Sequence, residues 1–240
     1  MKFAGRTETG LRAQNEDRFM ILNNERLHAV AVSDGMGGHR AGETASRLAV
    51  EALDRALQSS ESEWEATLMN AFREANQAVH DLAQSDDAMY GMGCTLVAAL
   101  CDEIRFVAAN VGDSRLYYFD GKELRQITHD HSFVAELVRR GIITREEAKT
   151  HPRRNLITRA IGTEDHVSAD IFCCDWDRGD MLLLCSDGLC GVLDDAETAA
   201  FLRNSIDLDA TCASLISRAL ALGSRDNITV VLVKNDGGNA

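Results

Sequence analysis

The sequence predicts an α+β fold built on antiparallel sheets. Apolar, β-leaning runs come in pairs around tight polar turns, as Thr95 to Cys101 and Ile104 to Ala109 do around Asp102-Glu103. Two long amphipathic stretches follow one another directly. A doubly wound parallel sheet would instead place a helix between successive strands. A single proline, Pro152, leaves no proline-rich linker to divide the 240 residues.

The elements follow in chain order. Leu27 to Ser33 is a short strand that ends in a breaker-rich turn, Asp34-Gly35-Met36-Gly37-Gly38. Ala41 to Gln58 carries Ala45, Leu48, Ala49, Ala52 and Leu53 at helical spacing. Ser60 with Glu63 reads as a capping box that opens a second helix to about Ala83, with Leu68, Ala71, Phe72, Ala75 and Val79 as its buried stripe. After the 95–109 hairpin, Arg115 to Phe119 and Glu123 to Ile127 flank the turn Asp120-Gly121. Thr128 to Gly162 differs in character. It has two short helical pieces, Phe133 to Arg140 and Arg145 to Thr150, the second capped by Thr144 and Glu147, and reads as an inserted subdomain. Met181 to Ser186 is an apolar strand, Thr211 to Leu222 a helix, and Ile228 to Val233 a last buried strand.

Composition narrows the function. Lys plus Arg number 25 against 38 Asp plus Glu, a net charge of −13, which argues against nucleic acid or an anionic membrane surface as partner. There is no apolar run of spanning length and no apolar segment near Met1, so neither membrane insertion nor a secretory signal is expected. The 7 cysteines form no C-x-x-C and read as reduced thiols of a cytoplasmic protein. The Walker A, G-x-G-x-x-G, G-x-S-x-G, H-E-x-x-H and EF-hand patterns are absent.

One pattern recurs. Apolar strands stop at an aspartate beside a glycine, at Asp34-Gly35, Gly112-Asp113 and Asp187-Gly188. Asp226 stands just before a strand, and Glu16-Asp17 precedes the apolar stretch Phe19 to Leu22. Any one of these is an ordinary turn. Together they put carboxylates on rigid strand ends, where they repel unless a divalent cation is present, and oxygen ligands suit Mg²⁺ or Mn²⁺.

The motifs in order are Arg12-Ala-Gln-Asn-Glu16-Asp17, Ser33-Asp-Gly-Met-Gly-Gly-His-Arg-Ala-Gly-Glu43, Gly93-Cys-Thr95, Asn110-Val-Gly-Asp-Ser-Arg115, Thr128-His-Asp-His-Ser132, Cys185-Ser-Asp-Gly188 and Ser224-Arg-Asp-Asn227. In this order and spacing they closely resemble the metal-dependent Ser/Thr protein phosphatases of type 2C in their short bacterial form, over about positions 3 to 234. The resemblance implies one domain, residues 1–240. Two antiparallel sheets would pack face to face with helices on both outer faces, and Thr128 to Gly162 would be the flap beside the active site.

It also implies a mechanism. Asp34 resembles the carboxylate that bridges two metals, with the Gly35 carbonyl as a further ligand. Asp187 and Asp226 resemble ligands of the first metal and Glu16 that of the second. Asp113 with Asp187 resembles a third, weaker site. In the family a hydroxide bridging the two Mn²⁺ or Mg²⁺ ions attacks phosphorus in line. Asp17 resembles the acid that orients metal-bound water, and Arg12 the guanidinium that grips phosphate oxygens. Animal members carry a histidine directly after the first Asp-Gly, where this chain has Met36. That leaves His39, a metal-bound water or solvent as proton donor to the leaving group. His129, His131 and His151 read as structural or solvated.

The expected activity is hydrolysis of phosphoserine and phosphothreonine in phosphoproteins, opposing a bacterial Ser/Thr kinase, by a cytoplasmic monomer. A catalytically inactive binding module is the rival, and it would be marked by lost ligands, all of which are present. A hydrolase of small phosphate esters is a third reading. The arginines at 139, 140, 145, 153, 154 and 159 concentrate positive charge in the flap. They suggest phosphopeptides with acidic neighbours as substrates, or else simply solvated helix faces.

Overall fold

The computed structural model describes residues 1–37, 41–59 and 63–237. The described strands form two antiparallel sheets. The first has the order β1 (Lys2–Glu8), β11 (Ile228–Lys234), β10 (Met181–Cys185), β7 (Arg115–Phe119) and β8 (Leu124–Gln126). The second runs β2 (Asp17–Asn23), β3 (His28–Met36), β5 (Leu96–Cys101), β6 (Arg105–Val111) and β9 (Asp170–Asp175), and the short β4 (Gly93–Cys94) pairs with the end of β3.

The period-two alternation of strands explains how the layers assemble. Val30 and Val32 point into the core between the sheets, while Ala29 and Ala31 point out toward helices. Both faces of β3 are therefore buried, which is why its sequence is apolar without alternation. Phe106, Leu182, Leu184 and Val231 complete the space between the sheets. Helices α1 (Ala41–Ser59) and α2 (Trp64–Ser85) cover the second sheet. The small stripe Ala45, Ala49, Ala52 and Ala56 of α1 lies in that layer with Leu68, Phe72 and Val79 of α2. On the opposite face, α5 (Asp187–Cys190), α6 (Asp195–Arg203) and α7 (Leu208–Ala221) cover the first sheet through Leu189, Leu202, Cys212 and Leu215. The order of layers is helix, sheet, sheet, helix, as expected.

The inserted segment carries α3 (Phe133–Arg139) and α4 (Arg145–Thr150), and the capping box of Thr144 and Glu147 is formed. Four local expectations change. The strand from Leu27 does not stop at Ser33. Gly35 and Met36 pair with Cys94 and Gly93, so β3 continues through the Asp34 turn. Glu63 is the N-cap of α2, without a side-chain cap bond, and Ser60 lies outside the described residues. Helix α7 starts at Leu208 because the Asp207 carboxylate caps Ala210 N–H. Asp187-Gly188 is not a plain turn but the start of α5. Strands β1 and β9 and helix α6 were not anticipated.

All 7 cysteines are free thiols. No helix among the described residues is long and apolar enough to cross a membrane.

Candidate active site

The two sheets end together, and their ends bring the acids to one edge. On β2 and β3, Asp17 stands opposite Asp34 in the register. In the first sheet, β10 stops at Cys185 and β11 begins at Ile228, and Ser186 N–H donates to Thr229 O at 3.2 Å across the pair. Asp187 and Asp226 therefore arrive from one sheet, and Asp17 and Asp34 from the other.

Asp17 joins the sheets. It is fully buried, and its Oδ2 accepts from Ser186 Oγ at 2.7 Å and Thr229 Oγ1 at 2.6 Å. Its Oδ1 is buried with no hydrogen-bond partner, and so is Asp187 Oδ1. Buried polar atoms in folded proteins are nearly always partnered, so two orphaned acid oxygens at one edge need an explanation.

Glu16 is held by backbone packing. Asn227 Oδ1 accepts from Glu16 N–H at 2.8 Å, and its amide donates to Thr9 O and Gln14 O. Asn227 thus pins the 9–16 loop. The Glu16 carbonyl accepts from Gly35 N–H at 3.2 Å and Ser46 Oγ at 2.5 Å. Gly35 must be glycine because a Cβ there would lie 2.1 Å from Gly42 O. Gly42 must be small because its Cβ would lie 2.9 Å from the Gly35 carbonyl carbon.

Thr95 couples Asp34 to Asp113. Its hydroxyl oxygen accepts from Asp34 N–H at 2.8 Å and lies 2.7 Å from Ser114 Oγ. Gly112 adopts φ +108° and sits flush against Thr95, where a Cβ would be 2.6 Å away. Arg115 is taken up by Asp130 at 2.7 Å. Arg12, which is exposed, lies 2.7 Å from Asp226 Oδ2.

Electrostatics reflect this crowding. Burial, with Asp187 and Asp226 adding to it, raises the Asp17 carboxyl to about 7, although the two hydroxyls pull the other way. Burial and then Asp187 raise Asp113 to about 7. Asp34 is pushed well above the usual range by burial, Asp17 and Asp187, and Asp187 rises through burial and Asp226. Burial also raises Glu16. Arg12 is raised by its bond to Asp226. Among the described residues, no three His, Cys, Asp or Glu side chains form a ready-made metal cage.

Of the sequence-predicted residues, Arg12, Glu16, Asp17, Asp34, Gly35, Asp113, Asp187 and Asp226 come to this edge. His39 lies outside the described residues. His131 is not solvated. It is buried, its Nδ1 accepts from Gly112 N–H at 3.1 Å, and its Nε2 lies 3.1 Å from Asp170 Oδ2. Ser186, Thr229, Ser46 and Thr95 were missed as positioning residues. Each is marked by a partner distant in sequence, Glu16 for Ser46, Asp34 for Thr95 and Asp17 for Ser186 and Thr229, and by no local pattern.

The sequence profile described as Protein phosphatase 2C matches residues 4–221. The chain belongs to the protein phosphatase 2C family. It is 41% identical over 238 residues to the serine/threonine phosphatase stp of Listeria monocytogenes, covering 96% of this chain and 94% of the relative. The crystal structure of serine/threonine phosphatase Stp1 from Staphylococcus aureus superposes with a TM-score of 0.91 at 38% identity, over 97% of this chain and 94% of that one. The catalytic domain of the serine/threonine protein phosphatase PstP, solved with 2 manganese ions, gives a TM-score of 0.85 at 37% identity over 97% of each chain. As a 2C phosphatase, the chain is a metal-dependent enzyme of the serine/threonine protein phosphatase class.

Proposed function

We propose that Glu16, Asp34, the Gly35 carbonyl, Asp187 and Asp226 hold two divalent cations for hydrolysis of phosphoserine and phosphothreonine esters in phosphoproteins. Asp113 with Asp187 offers a third, weaker site. The supporting observation is the pair of orphaned, buried oxygens, Asp17 Oδ1 and Asp187 Oδ1, among carboxyls whose ionisation burial and mutual repulsion make costly. A cation would give Asp187 Oδ1 a partner and offset the charge of the acids around Asp17, whose own free oxygen is left for a water. An all-oxygen donor set suits Mg²⁺ or Mn²⁺.

When bound, such ions supply Lewis acidity toward phosphoryl oxygen and make water ionisable near neutral pH. The chain's own groups do the rest. Arg12 has a planar fork that matches phosphate oxygens, and it stands at the mouth of the site against Asp226. Asp17 is fixed by Ser186 and Thr229, with its free oxygen available to orient a water. Met36 follows the first Asp-Gly, so protonation of the leaving oxygen falls to solvent, to water at the site or to His39. On this reading the 240 residues act as one cytoplasmic, monomeric unit that opposes a Ser/Thr kinase on shared phosphoproteins.

The test is phosphate release from a phosphothreonine peptide and from p-nitrophenyl phosphate, with Mn²⁺, Mg²⁺ or EDTA, by wild type and Asp34→Asn. Metal-dependent turnover that is lost in the variant is expected. No turnover by folded wild type with any metal would replace the enzyme with a binding module.

A further inference from the structure

The segment from Thr128 to Gly162 reverses the chain's charge. It carries seven Lys and Arg against four Asp and Glu, in a protein of net charge −13. It is rooted at both ends in the rim of the site. At one end, His131 N–H donates to Gly112 O at 2.9 Å and its Nδ1 accepts from Gly112 N–H, beside Asp113. At the other, Ile161 and Cys94 exchange backbone hydrogen bonds at 2.8 and 3.1 Å, and Cys94 pairs with Gly35. The segment therefore borders the acid edge at both of its ends.

Its cations are not equivalent. Arg140 is tied to Glu136, Lys149 to Glu146 and Arg159 to Asp170. Arg153 lies over the Phe133 ring at 5.6 Å. Arg139, Arg145 and Arg154 are exposed and have no ion pair among the described residues. An otherwise acidic enzyme would repel an acidic phosphopeptide, and this segment supplies the opposite sign beside the acid edge.

We propose that the unpaired flap arginines, Arg139 and Arg154 among them, select phosphopeptides that carry acidic residues beside the phosphoserine or phosphothreonine. The proposal rests on the phosphatase reading above and narrows its substrate class.

The experiment measures binding, so that its outcome does not depend on turnover. Fluorescent peptides with a non-hydrolysable phosphonate in place of phosphoserine, flanked by Glu or by Gln, are titrated into the Mn²⁺-supplemented protein and read by anisotropy. Exposed ion pairs are each worth roughly 1.4- to 5-fold, so wild type should favour the Glu peptide by about tenfold. The ratio should fall toward one in about 0.5 M salt. Arg139→Glu with Arg154→Glu should abolish or invert it. Equal affinity of wild type for both peptides, or a preference that survives the double charge reversal, would overturn the proposal. Turnover of p-nitrophenyl phosphate, which has no flanks, reports separately on the phosphatase reading and should stay within about twofold of wild type in the double variant.

Discussion

Divalent cations should stabilise this fold strongly at neutral pH and weakly in acid. The perturbation is EDTA against saturating Mn²⁺. Asp17 shows the size of the effect. It is fully buried, and its carboxyl moves from 3.8 to about 7. A folded-state value raised in this way contributes stability below pH 3.8 that is lost as pH climbs through about 7. Above that window, ionising this one carboxyl inside the fold costs about 4 kcal/mol, and at pH about 4.5 only about 1 kcal/mol. Cations at the edge recover that cost where the acids are charged and have little to recover where they are protonated. A domain of this length shifts its melting temperature by about 2–4 °C per kcal/mol, so Mn²⁺ should raise Tm by roughly 8–16 °C at pH 7.5 and by less than about 4 °C at pH 4.5. Differential scanning fluorimetry with and without EDTA at each pH reads this directly. Comparison within each pH cancels the other acids that titrate, among them Asp120 and Asp170, whose values are lowered. Equal shifts at both pH values would refute the argument that ionisation of the buried acids is what the cations offset.

Three further outcomes follow from single side chains. Thr229→Val removes one of the two hydroxyls that donate to Asp17, so urea melts should show a loss of about 1–3 kcal/mol, largely restored by Thr229→Ser. Gly35→Ala places a Cβ 2.1 Å from Gly42 O, and little folded protein should be recovered on size-exclusion chromatography; a variant with wild-type Tm would show that the first turn of α1 can yield. Arg12→Ala frees Asp226 of its guanidinium, so Mn²⁺ affinity by calorimetry should rise by a few-fold while KM for a phosphopeptide also rises; unchanged Mn²⁺ affinity would mean that the ion pair does not compete for Asp226.

Much of this architecture is written in local patterns. The strand at Met181, the α1 stripe and the Thr144 capping box depend on neighbours in sequence, so periodicity and cap chemistry reveal them. The acid turns were legible because aspartate beside glycine after an apolar run is a local signature. What was not legible depends on distant partners. Lys2–Glu8 has a weak strand pattern and owes its place to pairing with β11 at the other end of the chain. Asp170–Asp175 is a half-buried edge strand set by β6. The continuation of β3 through Asp34 needs Gly93 and Cys94, nearly sixty residues away. Thr229 and Ser186 looked like ordinary strand-end residues, and their importance appears only when a carboxylate from the other sheet lands on them.

That cross-sheet contact makes the site a consequence of the fold. Asp17 belongs to β2, and both hydroxyls that hold it belong to the opposite sheet. Asp34 shares the edge with Asp187, again one from each sheet. Neither sheet alone can collect the acids, so any cation they bind must favour the closed sandwich over every state in which the sheets part. The cost of burying Asp17 runs the other way and pulls the sheets' ends apart whenever the acids ionise without a counter-charge. The same residues therefore set both where the cation binds and how much of the sandwich's stability depends on it. Thr229→Val should accordingly weaken Mn²⁺ binding and the fold together, although its hydroxyl reaches Asp17 and not one of the proposed metal ligands.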